Sequence, residues 1–204
     1  MQWILESAQR AKKNRDSYTL NNVQIYIKDQ PSEEVDMDIV LNYIKNVIPP
    51  VFMKGVDVIY VGEFKEFKKR EINAFFEDGA IYVSNQQDNE MDIIDDIIHE
   101  FAHSVEKEYA NFIYGDAKVN KEFLGKRRRL YQILKSEGFD IDPMIKVDVQ
   151  YNKKIDLFFY KEVGYPMLNN LVNGLFTSAY ATTSLREYFA IGFEFYYLVK
   201  PALV

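Results

Sequence analysis

The chain has no cysteine and only two histidines among its 204 residues. The absence of cysteine excludes disulfide scaffolds, thiolate zinc sites and cysteine nucleophiles. With so few histidines, a transition-metal site would have to be completed by a carboxylate. Glycine and proline are also sparse, with 9 and 6 residues, and the sequence contains no low-complexity tract or flexible linker.

Long hydrophobic runs are missing as well. No segment has 18 consecutive apolar residues, and the most apolar stretch, residues 188–199, includes Glu194. The first sixteen residues show no basic stretch leading into an apolar run, so we expect no secretion signal. These features predict a soluble protein without a membrane partner, cytoplasmic in the producing cell by default, with virion association or non-classical export as alternatives.

The chain also has no excess of positive charge, because it contains 25 Lys and Arg but 31 Asp and Glu, which gives a net charge of -6. This balance argues against nucleic acid as a partner. The hydrophobic fraction of 48% and the aromatic fraction of 15% indicate a globular chain with a real core. The length predicts a single domain over residues 1–204.

Apolar spacing predicts an alternation of strands and helices. The turn signal Asp78-Gly79 is expected to introduce the strand at residues 80–84. Ser32 is the expected N-cap of the helix at residues 32–47. The predicted strands cover residues 23–27, 56–61 and 80–84, and the predicted helices cover 1–15, 32–47, 89–109, 118–135 and 185–199. Because the strands precede most of the helices, the predicted class is α+β. We expect a part containing the sheet over about 1–88 and a helical part over about 89–204, with a charged insertion over about 111–165.

The predicted helix 89–109 carries the sequence His-Glu-Phe-Ala-His at residues 99–103. Its apolar residues form one stripe, and His99 and His103 lie roughly opposite, on a face directed away from the packed core. Side chains four apart on a helix can reach one ion, while Glu100 points about a quarter turn away towards a water molecule. Chance placement of this pattern has a probability on the order of 0.2%.

A third protein ligand must be a carboxylate, because the chain has no third histidine and no cysteine. The apolar C-terminal helix supplies Glu187 and Glu194, seven residues apart on the same side. We expect this helix to be buried, and a carboxylate in such a place needs a cation or hydrogen-bond donors. Pairing of Glu187 with an Arg or Lys is the alternative to metal binding.

Two further segments carry a family resemblance. Residues 99–103 (HEFAH), 178–183 (SAYATT) and 187–190 (EYFA) together resemble the catalytic domain of anthrax lethal factor and the related Pro-Pro endopeptidases. In that family a tyrosine seven residues before the ligand glutamate faces the zinc, and Tyr180 stands at that separation from Glu187. The resemblance implies a zincin-like fold of the gluzincin type, with a small twisted sheet and helices around an active-site cleft.

The same resemblance assigns roles to individual residues. It implies that His99, His103 and Glu187 bind one Zn²⁺, that Glu100 is the general base and acid, and that the Tyr180 hydroxyl stabilises the oxyanion. Four positions after Glu187, where the family commonly has an acidic residue, this chain has Ile191. We therefore expect Glu194 or Asp96 to support the histidine ligands.

The implied function is a zinc-dependent endopeptidase that acts on a protein or peptide substrate. We expect strand 80–84 to lie at the sheet edge and to pair with the extended substrate, with an internal strand as the alternative. A protease that cleaves one regulatory protein would differ from this only in substrate range. The rival function is a non-catalytic zincin-fold component of a larger protein assembly, such as a virion or toxin complex.

Overall fold

The computed structural model describes residues 16–199 of the chain. These residues form a mixed α+β fold, which confirms the predicted class; the predicted helix over residues 1–15 lies outside them. The described strands are β1 (Ser17–Leu20), β2 (Val23–Ile27), β3 (Val58–Val61), β4 (Ala74–Glu77) and β5 (Ala80–Val83). The described α-helices are α1 (Met37–Val47), α2 (Lys65–Arg70), α3 (Glu90–Tyr114), α4 (Lys118–Ser136), α5 (Lys153–Phe158), α6 (Tyr165–Val172) and α7 (Leu185–Val199).

The five described strands make one mixed sheet in the order β1-β2-β3-β5-β4. Strands β2, β3 and β5 are parallel, and β1 and β4 are antiparallel to their neighbours. The prediction that strand 80–84 forms the sheet edge is wrong, because β5 lies between β3 and β4 and pairs with both. The two-residue turn at Asp78 and Gly79, with φ of 47° and 83°, joins β4 to β5 as a tight hairpin.

The two faces of the sheet have different side chains, as the period-2 alternation of a strand requires. One face is aliphatic and buried, and it includes Ile25, Ile59 and Ile81. The other face carries a ladder of aromatic rings across four strands, in which Tyr26, Tyr60, Tyr82 and Phe75 stack with centroids 5.9, 5.3 and 4.6 Å apart. Cross-strand aromatic pairs of this kind stabilise the strand register.

Helix α1 begins later than the sequence predicts. Its N-cap is Asp36, whose carboxylate accepts a hydrogen bond from the backbone N–H of Asp38 at 2.9 Å. The prediction that Ser32 caps this helix is wrong, since the Ser32 carbonyl instead closes a turn with the N–H of Val35. The helix buries Met37, Val40, Leu41 and Ile44.

The chain divides into two compact units. The first contains Met1–Glu108 and Tyr197–Val204, and its described part includes the sheet. The second contains Tyr109–Tyr196 and has a hydrophobic core of its own, with Phe123, Leu130, Ile145, Phe159, Leu168 and Leu185 among its members. The organisation as a single domain stays a prediction.

The C-terminal helix α7 has the predicted bounds but is less buried than its composition predicts. Phe195 and Tyr196 are 43% and 59% exposed. Within the described residues, every helix is too short or too polar to cross a lipid bilayer.

Candidate metal centre

Helix α3 begins where the sequence supplies a capping side chain. The Asn89 side-chain carbonyl accepts hydrogen bonds from the N–H groups of Met91 and Asp92, at 2.9 and 3.2 Å. Asn is among the residues preferred at this position. The helix continues to Tyr114, five residues beyond the predicted end, with a kink at Tyr109, where φ is -113° and ψ is 18°. Its apolar stripe is buried as predicted and includes Ile94, Ile97, Ile98, Phe101 and Val105.

The two histidines stand side by side on α3. Their ring centroids are 4.9 Å apart and the ring planes meet at 85°. His99 is partly exposed, whereas His103 is only 6% exposed, so His103 is less open to solvent than the helical periodicity predicts. Four-residue spacing therefore brings two imidazoles within reach of one ion.

Glu100, directly after the first histidine, is also buried, with 6% of its surface exposed. A carboxylate in that setting is expensive to keep charged unless a cation or hydrogen-bond donors stabilise it. Its burial beside the histidines is consistent with a position facing a reacting group.

Glu106 lies one turn after His103, and its carboxylate is 3.8 Å from the His103 Nδ1 atom. Histidine ligands of metals commonly direct their second nitrogen to a carboxylate, which fixes the orientation of the ring. Glu106 is not among the site residues expected above, although its spacing of three residues from His103 is a signal in the sequence that points to it.

Asp96 lies one turn before His99, and its charge acts on that histidine. The Gln87 side-chain amide donates a hydrogen bond to the Asp96 carboxylate. The pKa of Asp96 is raised from 3.8 to about 7, mainly by burial; the hydrogen bond from Gln87 lowers this pKa, and the charges of Asp95 and Glu100 raise it. The supporting roles expected of Asp96 and of Glu194 both stay predictions.

Asp96 also lines a polar hollow of about 370 Å³. The other lining residues are all polar or acidic: Asn73, Gln86, Gln87, Asp88, Asp92 and Asp95. The concentration of carboxylates around one opening adds to the cost of ionising Asp96.

Glu187 lies in the first turn of α7. The Ser184 hydroxyl caps this turn by accepting a hydrogen bond from the N–H of Glu187 at 3.1 Å. Immediately before it, Tyr180–Thr182 form a short 3-10 helix, and the Tyr180 side chain is 41% exposed. The predicted oxyanion role of Tyr180 stays a prediction.

His99, His103 and Glu187 form the one group of metal-ligating side chains found among residues 16–199. One potential ligand atom from each residue lies within 4.8 Å of the others. Two imidazoles and one carboxylate are a donor set that zinc uses in hydrolytic enzymes. Glu194 is not a member of this group, so the geometry favours Glu187 as the carboxylate ligand.

Comparisons with known proteins identify no relative. No protein-family model, no curated protein and no solved structure matches the chain.

Proposed function

We propose that the protein is a zinc-dependent endopeptidase. The observation that carries the proposal is the grouping of His99, His103 and Glu187, with ligand atoms within 4.8 Å of one another. The buried carboxylate of Glu100 next to the first histidine adds the acid-base group that peptide hydrolysis needs.

The donor set suits zinc better than the other common divalent ions. Calcium and magnesium prefer six or more oxygen ligands, whereas zinc accepts nitrogen and oxygen in a four-coordinate site. Three protein ligands leave one position for water or substrate, which distinguishes a catalytic site from a structural one. Bound there, zinc would lower the pKa of a water molecule and polarise the scissile carbonyl.

Glu100 would act as the general base and then as the general acid. Its carboxylate would take a proton from the attacking water and later pass it to the leaving amine.

Tyr180 would serve as the hydrogen-bond donor to the developing oxyanion. A phenol keeps its proton at neutral pH, so it can donate throughout the reaction. The proposal for this residue depends on the seven-residue spacing from Glu187, together with its exposure of 41%.

The substrate class would be a protein or peptide bound in extended form. Strand β4 lies at one end of the strand order, so its outer edge is not paired within the described sheet. An edge strand can bind a peptide backbone by main-chain hydrogen bonds. Residues 74–77 therefore replace 80–84 as the candidate substrate-binding strand.

The test measures zinc content and cleavage of a peptide library by the purified protein. Wild type should contain one equivalent of zinc and cleave a subset of peptides. Glu187→Ala and His103→Ala should lose the zinc, and Glu100→Gln should keep the zinc and lose cleavage by at least 100-fold. Glu108→Gln is the matched control, because Glu108 is an exposed glutamate on the same helix and both measurements should stay at wild-type values.

The results separate the two function classes. Zinc without cleavage by wild type would favour the non-catalytic member of a larger assembly. Absence of zinc after reconstitution with excess Zn²⁺ would exclude both the metal site and the peptidase.

A further inference from the structure

Arg127 of α4 is a buried arginine whose hydrogen bonds all go to backbone carbonyls. Its side chain has 0% exposure. Nε donates to the Thr182 carbonyl at 2.9 Å, and the two terminal nitrogens donate to the carbonyls of Asp148 at 2.6 Å and Thr183 at 3.1 Å. One guanidinium therefore joins three points of the chain, and the partners are up to 56 residues away in sequence.

Within residues 16–199, no carboxylate forms a salt bridge with this guanidinium, although the charge of Asp148 acts on it and favours its charged form. Burial lowers the pKa of Arg127 to about 10, so the group stays charged at neutral pH. A buried charge without an ion pair is costly, and it persists where its hydrogen bonds do something that a neutral side chain cannot do. Arginine alone offers a rigid fork with five donors, which can hold three carbonyls at once.

Two of the three carbonyls belong to the segment that precedes Glu187. Thr182 ends the short 3-10 helix that starts at Tyr180, and Thr183 follows it. Ser184 then caps α7 through its hydroxyl. The fork of Arg127 thus holds the backbone midway between Tyr180 and Glu187.

The third carbonyl belongs to Asp148, within the charged segment 111–165, so the same guanidinium links this segment to residues 182–183. Arg127 binds the Asp148 carbonyl, and the next carbonyl, that of Val149, accepts a hydrogen bond from the N–H of Leu185 at 2.8 Å. Residues 148–149 therefore brace the first turn of α7 from the other side.

A second contact from α4 holds the residue after Glu187. The Lys126 ammonium donates to the Tyr188 hydroxyl at 2.7 Å, and that hydroxyl donates to the Glu122 carboxylate at 2.7 Å. The chain is thus held on both sides of Glu187, through the backbone carbonyls of residues 182–183 and through the side chain of Tyr188.

We propose that Arg127 is a positioning residue for the metal centre, and that segment 111–165 serves to carry it. The inference rests on the proposed zinc function, because its consequence is the placement of the ligand Glu187 and of Tyr180. Arg127 touches neither the metal nor the substrate; it acts through the backbone of residues 182–183. A site held this way is preorganised, so little ordering is required when the ion binds.

The experiment is a double-mutant cycle on zinc affinity. Zn²⁺ binding is measured by competition with a chromophoric chelator for wild type, Arg127→Lys, Glu187→Gln and the double variant. Lysine keeps the charge but cannot hold three carbonyls. We expect Arg127→Lys to weaken binding by 10- to 100-fold in wild type and by less than 2-fold when Glu187 is already replaced, since the two residues act as one unit. Equal loss in both backgrounds would overturn the proposal, because a general loss of stability acts on both alike.

A rescue arm covers the case in which a variant folds poorly. In Arg127→Ala, added guanidinium ion should restore zinc affinity in a saturable manner, whereas sodium at the same ionic strength should not. Arg128→Ala is the control, because Arg128 is the exposed neighbour on the same helix and its affinity should match wild type. If sodium restored the zinc affinity of Arg127→Ala as well as guanidinium does, the effect would not come from the hydrogen bonds of a guanidinium group, and the proposal would be contradicted.

A metal-free arm separates failure of this inference from failure of the proposed function. Hydrogen exchange of the apo protein should show that Arg127→Lys accelerates exchange at the amides of Thr183 and Leu185 by about 10-fold, with the amides of β3 unchanged. If wild type binds no zinc, the zinc proposal fails, and this local acceleration still supports the fork as the brace of residues 182–187. Unchanged exchange at both amides would overturn the inference whatever the metal does.

Discussion

The hydroxyl of Ser104 occupies the space that a side chain at Gly55 would need. A β-carbon built on Gly55 would overlap the Ser104 Oγ atom, and Ser104, which follows His103 in α3, is 2% exposed. Helix α3 is therefore packed against the backbone at residue 55 without room for one methyl group.

We predict that Gly55→Ala destabilises the protein by about 2 kcal/mol, because overpacking forces the helix or the loop to shift. The free energy of unfolding, measured by urea denaturation, checks this value. The double variant Gly55→Ala, Ser104→Ala should recover most of the loss, since the nearest remaining side-chain atom would be the Ser104 Cβ position at 3.7 Å.

Gly125→Ala is the matched control for that measurement. Gly125 lies inside α4, and a β-carbon there meets nothing within 4 Å. We expect this change to stabilise the protein by about 0.5 to 1 kcal/mol, because alanine loses less backbone entropy in a helix. Destabilisation by Gly55→Ala that Ser104→Ala leaves unchanged would show that the contact is not the cause.

We predict that the stability of the metal-free protein depends on pH, because the pKa of Asp96 is raised in the folded state. Burial raises the pKa of Asp96 to about 7 in the folded state, against 3.8 for the free group. Between these values the folded state holds more protons than the unfolded state, so the free energy of unfolding falls as pH rises from about 4 to about 7. We expect Asp96→Asn to match wild type at about pH 4 and to exceed it by about 4 kcal/mol at pH 8.

Gln87→Met provides the companion to the Asp96 measurement. The hydrogen bond from Gln87 lowers the Asp96 pKa, so its removal should raise that pKa and extend the fall of stability to higher pH. Identical pH profiles for wild type, Asp96→Asn and Gln87→Met, measured by urea denaturation in the presence of EDTA, would contradict the assignment of the slope to Asp96.

Elements whose signal is local were predictable from the sequence. Strand 23–27 and helix 185–199 have the predicted bounds, and the helix with the two histidines begins within one residue of its predicted start. The edge strand β4 was missed because its pairing with β5 is decided by the turn at Asp78-Gly79. The sequence pattern alone indicates the start of one strand at this turn, whereas in the structure the turn is the centre of a hairpin.

The site shows the same division between local and long-range information. The spacing of His99 and His103 fixes their proximity, because four residues make about one helical turn. Periodicity cannot reveal that α7 keeps Phe195 and Tyr196 exposed. Nor can it reveal that Arg127, in the run of four basic residues at 126–129, is fully buried and donates hydrogen bonds to carbonyls more than 50 residues away.

The choice between Ser32 and Asp36 as the cap of α1 can be tested directly. Asp36→Ala should lower the free energy of unfolding by about 1 kcal/mol, because the N–H of Asp38 loses its hydrogen-bond acceptor. Ser32→Ala should change it by less than about 0.5 kcal/mol. Urea denaturation of the two variants decides the question, and a larger loss in Ser32→Ala would restore the cap that the sequence pattern indicated.

Removal of metal gives the last prediction, which depends on folding stability rather than on catalysis. A ligand that binds only the folded state stabilises it in proportion to the logarithm of its concentration. With free zinc about 1,000-fold above its dissociation constant, the free energy of unfolding should rise by about 4 kcal/mol, and EDTA should reverse the rise. His103→Ala should abolish the zinc-dependent increase.

The variant Glu106→Gln tests whether Glu106 supports the ligand His103, again through the zinc-dependent rise in the free energy of unfolding. Its carboxylate lies 3.8 Å from the His103 Nδ1 atom, and loss of such a partner commonly weakens metal binding about 10-fold. At fixed zinc the stabilisation should therefore fall by about 1.4 kcal/mol. Full stabilisation in this variant would mean that the His103 ring is oriented by packing alone.

The variant His103→Ala tests the ion's position itself. Equal zinc-dependent stabilisation in wild type and His103→Ala would place the bound ion at other ligands.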